Sequence, residues 1–206
     1  MKVSVSILKE YDNLKYAIEK VNQTSADFLH VDVMDGVFVN NKCFPLEKVM
    51  EAKDLSVKPL DVHLMVKDHE LIKKYASINP CYLTFHVEVI EDDALIKYVK
   101  SKGIKVGLAI NPETTINKLM PYLNDIDLVL FMSVEPGAGG QEFKSEVLEK
   151  VRKLKSIIPD NVIISIDGGV NEKTAPLCKD AGCNMVVAGS FITNKDDYED
   201  GVKPLR

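Results

Sequence analysis

Eight short apolar runs punctuate the chain: Val3–Ile7, Phe28–Val33, Leu60–Met65, Tyr82–His86, Lys105–Ile110, Leu128–Met132, Val162–Ile166 and Met185–Val187. Each is bounded by turn-forming or polar residues, and their length and flanks predict β-strands. The stretches between them carry helical period. In DNLKYAIEKV, Leu14, Ala17, Ile18 and Val21 recur at i, i+3, i+4 and i+7; in SEVLEKVRKLKSII, Val147, Val151, Leu154 and Ile158 form a similar stripe. DDALIKYVKSKG opens on acids and closes on Lys and Gly, which suits a helix dipole and a C-terminal cap. NPETTINKLMPYL predicts a further helix, bent or ended by Pro121.

Strands alternating with helices, about 20 to 35 residues apart, predict a (β/α)8 TIM barrel in the α/β class, with 1–206 as a single domain and a short last helix near DDYEDGVKPLR. A doubly wound open sheet would carry G-x-G-x-x-G after its first strand, and SILKEYD stands there instead.

Side chains alternate across a strand with period two, so the apolar set of each strand packs on the helices and the other set faces the barrel axis. That parity sends inward His30, Asp32 and Met34 from one strand, Asp61, His63 and Met65 from the next, Ser165 and Asp167 from IISIDGG, and Ser4 and Ser6 from the first. Buried carboxylates cost several kcal/mol each unless paired or metal-bound. His30, Asp32, His63 and Asp167 offer two imidazoles and two carboxylates near the barrel mouth. Such a set suits one divalent ion of zinc, iron(II), manganese or cobalt better than magnesium or calcium, which prefer oxygen alone. Glycine-rich stretches, SVEPGAGGQ, DGG at 167–169 and AGS at 188–190, follow the last three strands. Their backbone N–H groups suit a phosphate, with no lysine or arginine among them.

Bulk properties narrow the partners. The 206 residues are 46% hydrophobic and 28% charged, with a net charge of −5, which argues against a nucleic-acid or anionic-membrane binder. No apolar run approaches the roughly 20 residues needed to span a bilayer. The opening MKVSVSILKEYDNL does not read as a signal peptide. Cys43, Cys81, Cys178 and Cys183 share no C-x-x-C spacing, consistent with reduced thiols in a cytoplasm.

SIL at 6–8, HVDVMDGVFV, LDVHLMV, TFHVE, GLAINPET, EPGAGGQ, IDGGV and AGS, in that order, make the chain resemble the ribulose-phosphate 3-epimerases along nearly its whole length. The resemblance implies a (β/α)8 isomerase of the pentose phosphate pathway with one divalent metal ion per subunit, interconverting D-ribulose 5-phosphate and D-xylulose 5-phosphate, and a homo-oligomer. By position, it implies His30, Asp32, His63 and Asp167 as metal ligands and Asp32 and Asp167 as the acid–base pair. Ser6, His63 and Asp167 would contact substrate, and Gly137, Ala138, Gly139, Gly140, Gly168, Gly169, Gly189 and Ser190 would surround its phosphate. Met34, Met65 and Met132 would cap the intermediate. The chemistry suits these residue types, since inverting carbon 3 beside a ketone needs one proton removed and another returned to the opposite face, a task for two carboxylates on strands placed across the cavity.

Val5, Lys9, Asn40 and Ala138 depart from the family's usual pattern around the pocket rim, where the position of Lys9 is commonly serine. His86 is expected behind the ligands and His69 on a helix surface. A D-allulose-6-phosphate 3-epimerase would share all four ligands. A metal-dependent hydrolase on the same barrel would leave the second carboxylate unexplained, and a non-catalytic phosphosugar-binding protein would be expected to have lost a ligand. Phosphosugar decarboxylases carry D-x-K-x-x-D where this chain has DVHLMV, with His63 at the lysine position.

Overall fold

A computed structural model describes residues 1–206. Its strands are β1 (Lys2–Ser6), β2 (Phe28–Asp35), β3 (Lys42–Cys43), β4 (Leu60–Met65), β5 (Tyr82–His86), β6 (Lys105–Ile110), β7 (Leu128–Met132), β8 (Ile163–Asp167) and β9 (Met185–Ala188). All but β3 are parallel, in the order β1-β2-β4-β5-β6-β7-β8-β9, and β9 pairs back onto β1 to close the barrel. The eight predicted strands are therefore present within two residues at either end. The short β3 was not predicted: it pairs antiparallel with Met34 and Asp35, folding the mouth loop back onto β2.

The outward residues of the strands are apolar, as the alternation requires. Val3, Val5, Val31, Val33, Val62, Leu64, Ile164 and Ile166 are buried in one continuous core between sheet and helices. Each such side chain stabilises the fold by roughly 1.5–3 kcal/mol relative to exposure. Helix α1 (Leu14–Asn22) buries Leu14, Ala17, Ile18 and Val21, the stripe read from the periodicity. Around the outside follow α2 (Leu46–Leu55), α3 (His69–Ala76), α4 (Ala94–Ser101), α5 (Val147–Lys155) and α6 (Thr174–Ala181). Asp92 Oδ1 accepts the Ala94 N–H at 2.9 Å at the start of α4, and Gly103 takes the left-handed conformation just past its end, with φ +76°. The last elements, α7 (Ser190–Thr193) and α8 (Glu199–Val202), are single turns, as expected from the short C-terminal pattern.

One helix is absent. NPETTINKLMPYL forms 3-10 turns at Ile116–Lys118 and Met120–Tyr122 rather than an α-helix. Pro121 lacks the N–H that a continuing helix needs and disfavours a helical conformation at Met120. The apolar period survives nonetheless, because Leu119, Leu123 and Ile126 still reach the core.

Inside the barrel, Phe28, Tyr82, Leu128, Leu130 and Met185 form a second apolar cluster beneath the polar residues, with Phe28 and Tyr82 edge to face at 5.5 Å. At Gly107 on β6 the interior has no room for a side chain: a Cβ would overlap Thr84 Oγ1 and stand 2.9 Å from Thr84 Cβ. Gly107→Ala is expected to destabilise the fold by about 1–3 kcal/mol. Thermal denaturation should show a melting point about 2–10 °C lower, partly restored when Thr84→Ala is added. An unchanged melting point would contradict this packing.

Candidate active site

The strand register sets the site before any side chain is considered. Ser6 is level with His30, Asp32 with His63, and Met132 with Asp167. The C-terminal ends of β1, β2, β4, β7, β8 and β9 thus bring their inward residues to one depth, at the end of the barrel where such folds carry their chemistry. His30, Asp32, His63 and Asp167 form one cluster, each offering a ligand atom, and these atoms lie within 4.8 Å of one another. β2 and β8 do not face each other across the full barrel as expected; only β1 and β9 separate them on the shorter way round. That offset brings the two carboxylates close together.

Asp32 is the hub. Its Oδ1 lies 3.2 Å from His30 Nε2 and 3.1 Å from His63 Nδ1, while its Oδ2 accepts a hydrogen bond from Ser6 Oγ at 2.8 Å. Behind the cluster, each imidazole is anchored. His30 Nδ1 lies 2.8 Å from Asp61 Oδ2, which also accepts from Ser4 Oγ at 2.9 Å. His63 Nε2 lies 2.9 Å from His86 Nε2, and His86 Nδ1 lies 3.2 Å from Glu88 Oε2. Glu88 Oε1 in turn accepts the Asn111 N–H at 2.9 Å.

These partners fix the proton positions. A carboxylate accepts only, so Asp61 takes the Nδ1–H of His30 and Glu88 takes the Nδ1–H of His86. His86 then accepts at Nε2, and His63 donates its Nε2–H. The inner nitrogens, Nε2 of His30 and Nδ1 of His63, face the gap beside Asp32 and Asp167, where either a proton shared with Asp32 Oδ1 or a metal ion would lie. Imidazoles that hold a metal are typically anchored in this way through their outer N–H. Two such nitrogens and two carboxylates fit one divalent transition ion.

Among the side chains alone, the two aspartates differ. Burial works against the charged form of Asp32, yet His30 and His63 outweigh it and hold the carboxyl far below the usual range. Burial pushes Asp167 up to about 6, with the charge of Asp32 adding to the rise. Burial likewise lowers His86, to about 4, so its ring is neutral as the tautomer chain requires. His30 is raised well above its ordinary value: burial opposes this, but Asp32 and Asp61 prevail.

Above the cluster opens a cavity of about 540 Å³. Ser6, Asp32 and Asp167 line it, as do Met34, Met65 and Met132, which are almost fully buried. Gly137, Ala138, Gly139, Gly140, Gly168, Gly169, Gly189 and Ser190 line its outer part. His30 and His63 lie beneath, wholly buried, and are not part of the wall. The expectation of a phosphate end without cations does not hold, because Lys9 and Lys173 line the same cavity.

Asp35 is a turn former, accepting the N–H groups of Val37, Phe38 and Lys67 at 2.7–2.8 Å. His69 is exposed at the start of α3, with Nε2 2.7 Å from Val89 O. Sequence reasoning missed Asp61 and Glu88 as anchors. Parity turned Asp61 inward, but only the register pairing His30 with Asp61 reveals its partner.

The family model described as the ribulose-phosphate 3 epimerase family matches residues 2–193. The chain belongs to this family. It is 39% identical to the ribulose-phosphate 3-epimerase of Methanocaldococcus jannaschii, covering 100% of this chain and 90% of that protein. It is 36% identical to the enzyme of that name from Bacillus subtilis, covering 100% and 98%. Orotidine 5′-phosphate decarboxylase from Pyrococcus horikoshii superposes with a TM-score of 0.70 at 14% identity, over 98% of this chain and 96% of that one, a likeness of fold alone. Family membership makes the chain an isomerase that depends on a metal, and the His–Asp cluster is where one ion fits.

If Asp61 fixes the His30 tautomer, Asp61→Asn should weaken binding of one zinc or manganese ion by about 10–100-fold. Competition with a chromophoric chelator measures this directly. Affinity equal to that of the parent protein would remove Asp61 from the site.

Proposed function

We propose that the protein interconverts D-ribulose 5-phosphate and D-xylulose 5-phosphate, with Asp32 and Asp167 exchanging the proton at carbon 3. The observation that carries this reading is the placement of two buried carboxylates, Asp32 and Asp167, at one cavity wall beside two imidazoles, in environments that push their acidities apart. Environments that push two neighbouring carboxyls apart define a base and an acid. Asp32, ionised and steadied by Ser6 through Oδ2, takes the proton from carbon 3. Asp167, whose carboxyl carries a proton more readily, returns one to the other face of the planar 2,3-enediolate. In the reverse direction the two exchange roles.

His30, Asp32, His63 and Asp167 would hold the divalent ion, with zinc, iron(II), manganese and cobalt all compatible with the donor set. When bound, such an ion supplies Lewis-acid stabilisation of negative charge on the substrate's oxygens. Asp32 and Asp167 need that neutralising charge as well, since two ionised carboxylates at this separation repel strongly in a buried site. Met34, Met65 and Met132 exclude water from the reacting carbons with a polarizable surface. Ser6 belongs to the substrate end of the site, His63 stands behind the cavity wall as a ligand rather than a substrate contact, and the glycines of 137–140, 168–169 and 189, with Ala138 and Ser190, surround the phosphate.

The names of the relatives favour a pentose phosphate over D-allulose 6-phosphate. No helix is long and apolar enough to cross a membrane. A cytoplasmic homo-oligomer acting on a small phosphorylated ketose, with neither nucleic acid nor membrane as partner, completes the proposal.

A coupled assay with both ketose phosphates, on protein stripped by chelator and then reloaded, tests it. Turnover of D-ribulose 5-phosphate well above that of D-allulose 6-phosphate, lost on chelation and restored by one of the four metals, is expected. Reloaded protein that turns over neither substrate would overturn the epimerase reading.

A further inference from the structure

The glycine-lined end of the cavity holds a charge that its own loops do not supply. Lys9 lies just after β1, in the 3-10 segment Leu8–Asn13, and its side chain crosses the mouth to lie along the loop after β7. A Cβ built on Gly140 would stand 2.6 Å from Lys9 Nζ and 3.3 Å from its Cε; one built on Gly139 would stand 3.4 Å from Cε and 3.5 Å from Cγ. The same point on Gly140 is 3.8 Å from Ser190 Oγ. The ammonium is therefore carried by its stem to the place where the loop after β7 meets the loop after β9.

Lys9 makes no salt bridge or side-chain hydrogen bond within the chain, although its side chain reaches a wall that includes carboxylates. Lys144, near the same loop, is committed to Glu135 at 2.7 Å. Lys173 also lines the cavity, but no glycine of the three loops has it as a close neighbour. A side chain at Gly140 would collide with Nζ, and its φ of +81° favours glycine in any case.

We propose that Lys9 is a binding residue for the substrate's phosphate group, adding one charge-assisted contact to a pocket otherwise built from backbone N–H groups and the Ser190 hydroxyl. The inference rests on the reading that the glycine loops take the phosphate. A phosphate dianion there is attracted by a positive charge that no carboxylate within salt-bridge distance cancels. Lys9 is not one of the four metal-binding side chains: it recognises the end of the substrate that does not react. Uniform binding of a non-reacting group lowers KM without changing kcat.

The test compares Lys9→Met and Lys9→Arg with the parent enzyme, using D-ribulose 5-phosphate as substrate and inorganic phosphate as competitor. Lys9→Met should raise KM about 10-fold, as expected for losing a hydrogen bond to a charged group, with kcat within about twofold. The inhibition constant for inorganic phosphate should rise in parallel, and the fall of kcat/KM with added salt should become shallower. Lys9→Arg should retain most of the affinity. A Lys9→Met enzyme with unchanged KM and unchanged phosphate inhibition overturns the role of Lys9. A fall in kcat at constant KM also overturns it, since that would place Lys9 in the chemical step. A parent enzyme that is inactive on both ketose phosphates would instead fail the epimerase reading itself.

Discussion

Asp32 is an ionised carboxylate sealed almost completely inside a barrel, and the rest of the site exists to make that tolerable. A charge in such a place is stable only when opposite charge or hydrogen-bond donors surround it. His30 and His63 approach one oxygen and Ser6 the other. The same requirement propagates outward: each imidazole must itself be held, and the chain of contacts ends at Asp61 on one side and at Glu88 on the other. A second buried carboxyl group, Asp61, and a half-buried one, Glu88, thus arise from the demands of the first.

This arrangement links fold to chemistry. A parallel barrel fixes the height of inward side chains through strand register, so several strand ends can present their inward residues at one level without any loop having to be accurate. The apolar cluster below, built on Phe28, Tyr82, Leu130 and Met185, closes the barrel floor and keeps the polar layer from being a channel. The mouth is different in kind. Its loops are held by a few contacts, such as Asn41 Nδ2 to Gly137 O at 2.7 Å, and they carry the glycines and Ser190 proposed to surround the phosphate.

The strands, the barrel and the four clustered side chains were legible because period-two alternation is a local signal. His30 and Asp32, two residues apart, must share a face, and the same holds for Asp61 and His63. What alternation cannot give is which residues of different strands meet. Asp61 was seen to point inward, yet its contact with His30 depends on register, and the His63–His86–Glu88 chain spans two strands and a 3-10 turn. The segment 111–123 was misread because its apolar spacing suits a helix while Pro121 and the preceding residues favour tight turns; burial of Leu119 and Leu123 satisfies the spacing without one. Lys9 was visible as a departure from the family's pattern, but only the packing of its stem on Gly139 and Gly140 shows where its charge goes.

In the proposed reaction, two carboxylates serve opposite faces of carbon 3. Hydrogen–deuterium exchange at that carbon, followed by mass spectrometry in heavy water on Asp32→Asn and Asp167→Asn proteins of verified metal content, tests it most directly. Each variant should fail to epimerise, and each should still exchange the carbon 3 hydrogen of one epimer only, the two variants choosing opposite epimers. Epimerisation by either variant, or exchange of the same epimer by both, would contradict the two-carboxylate account.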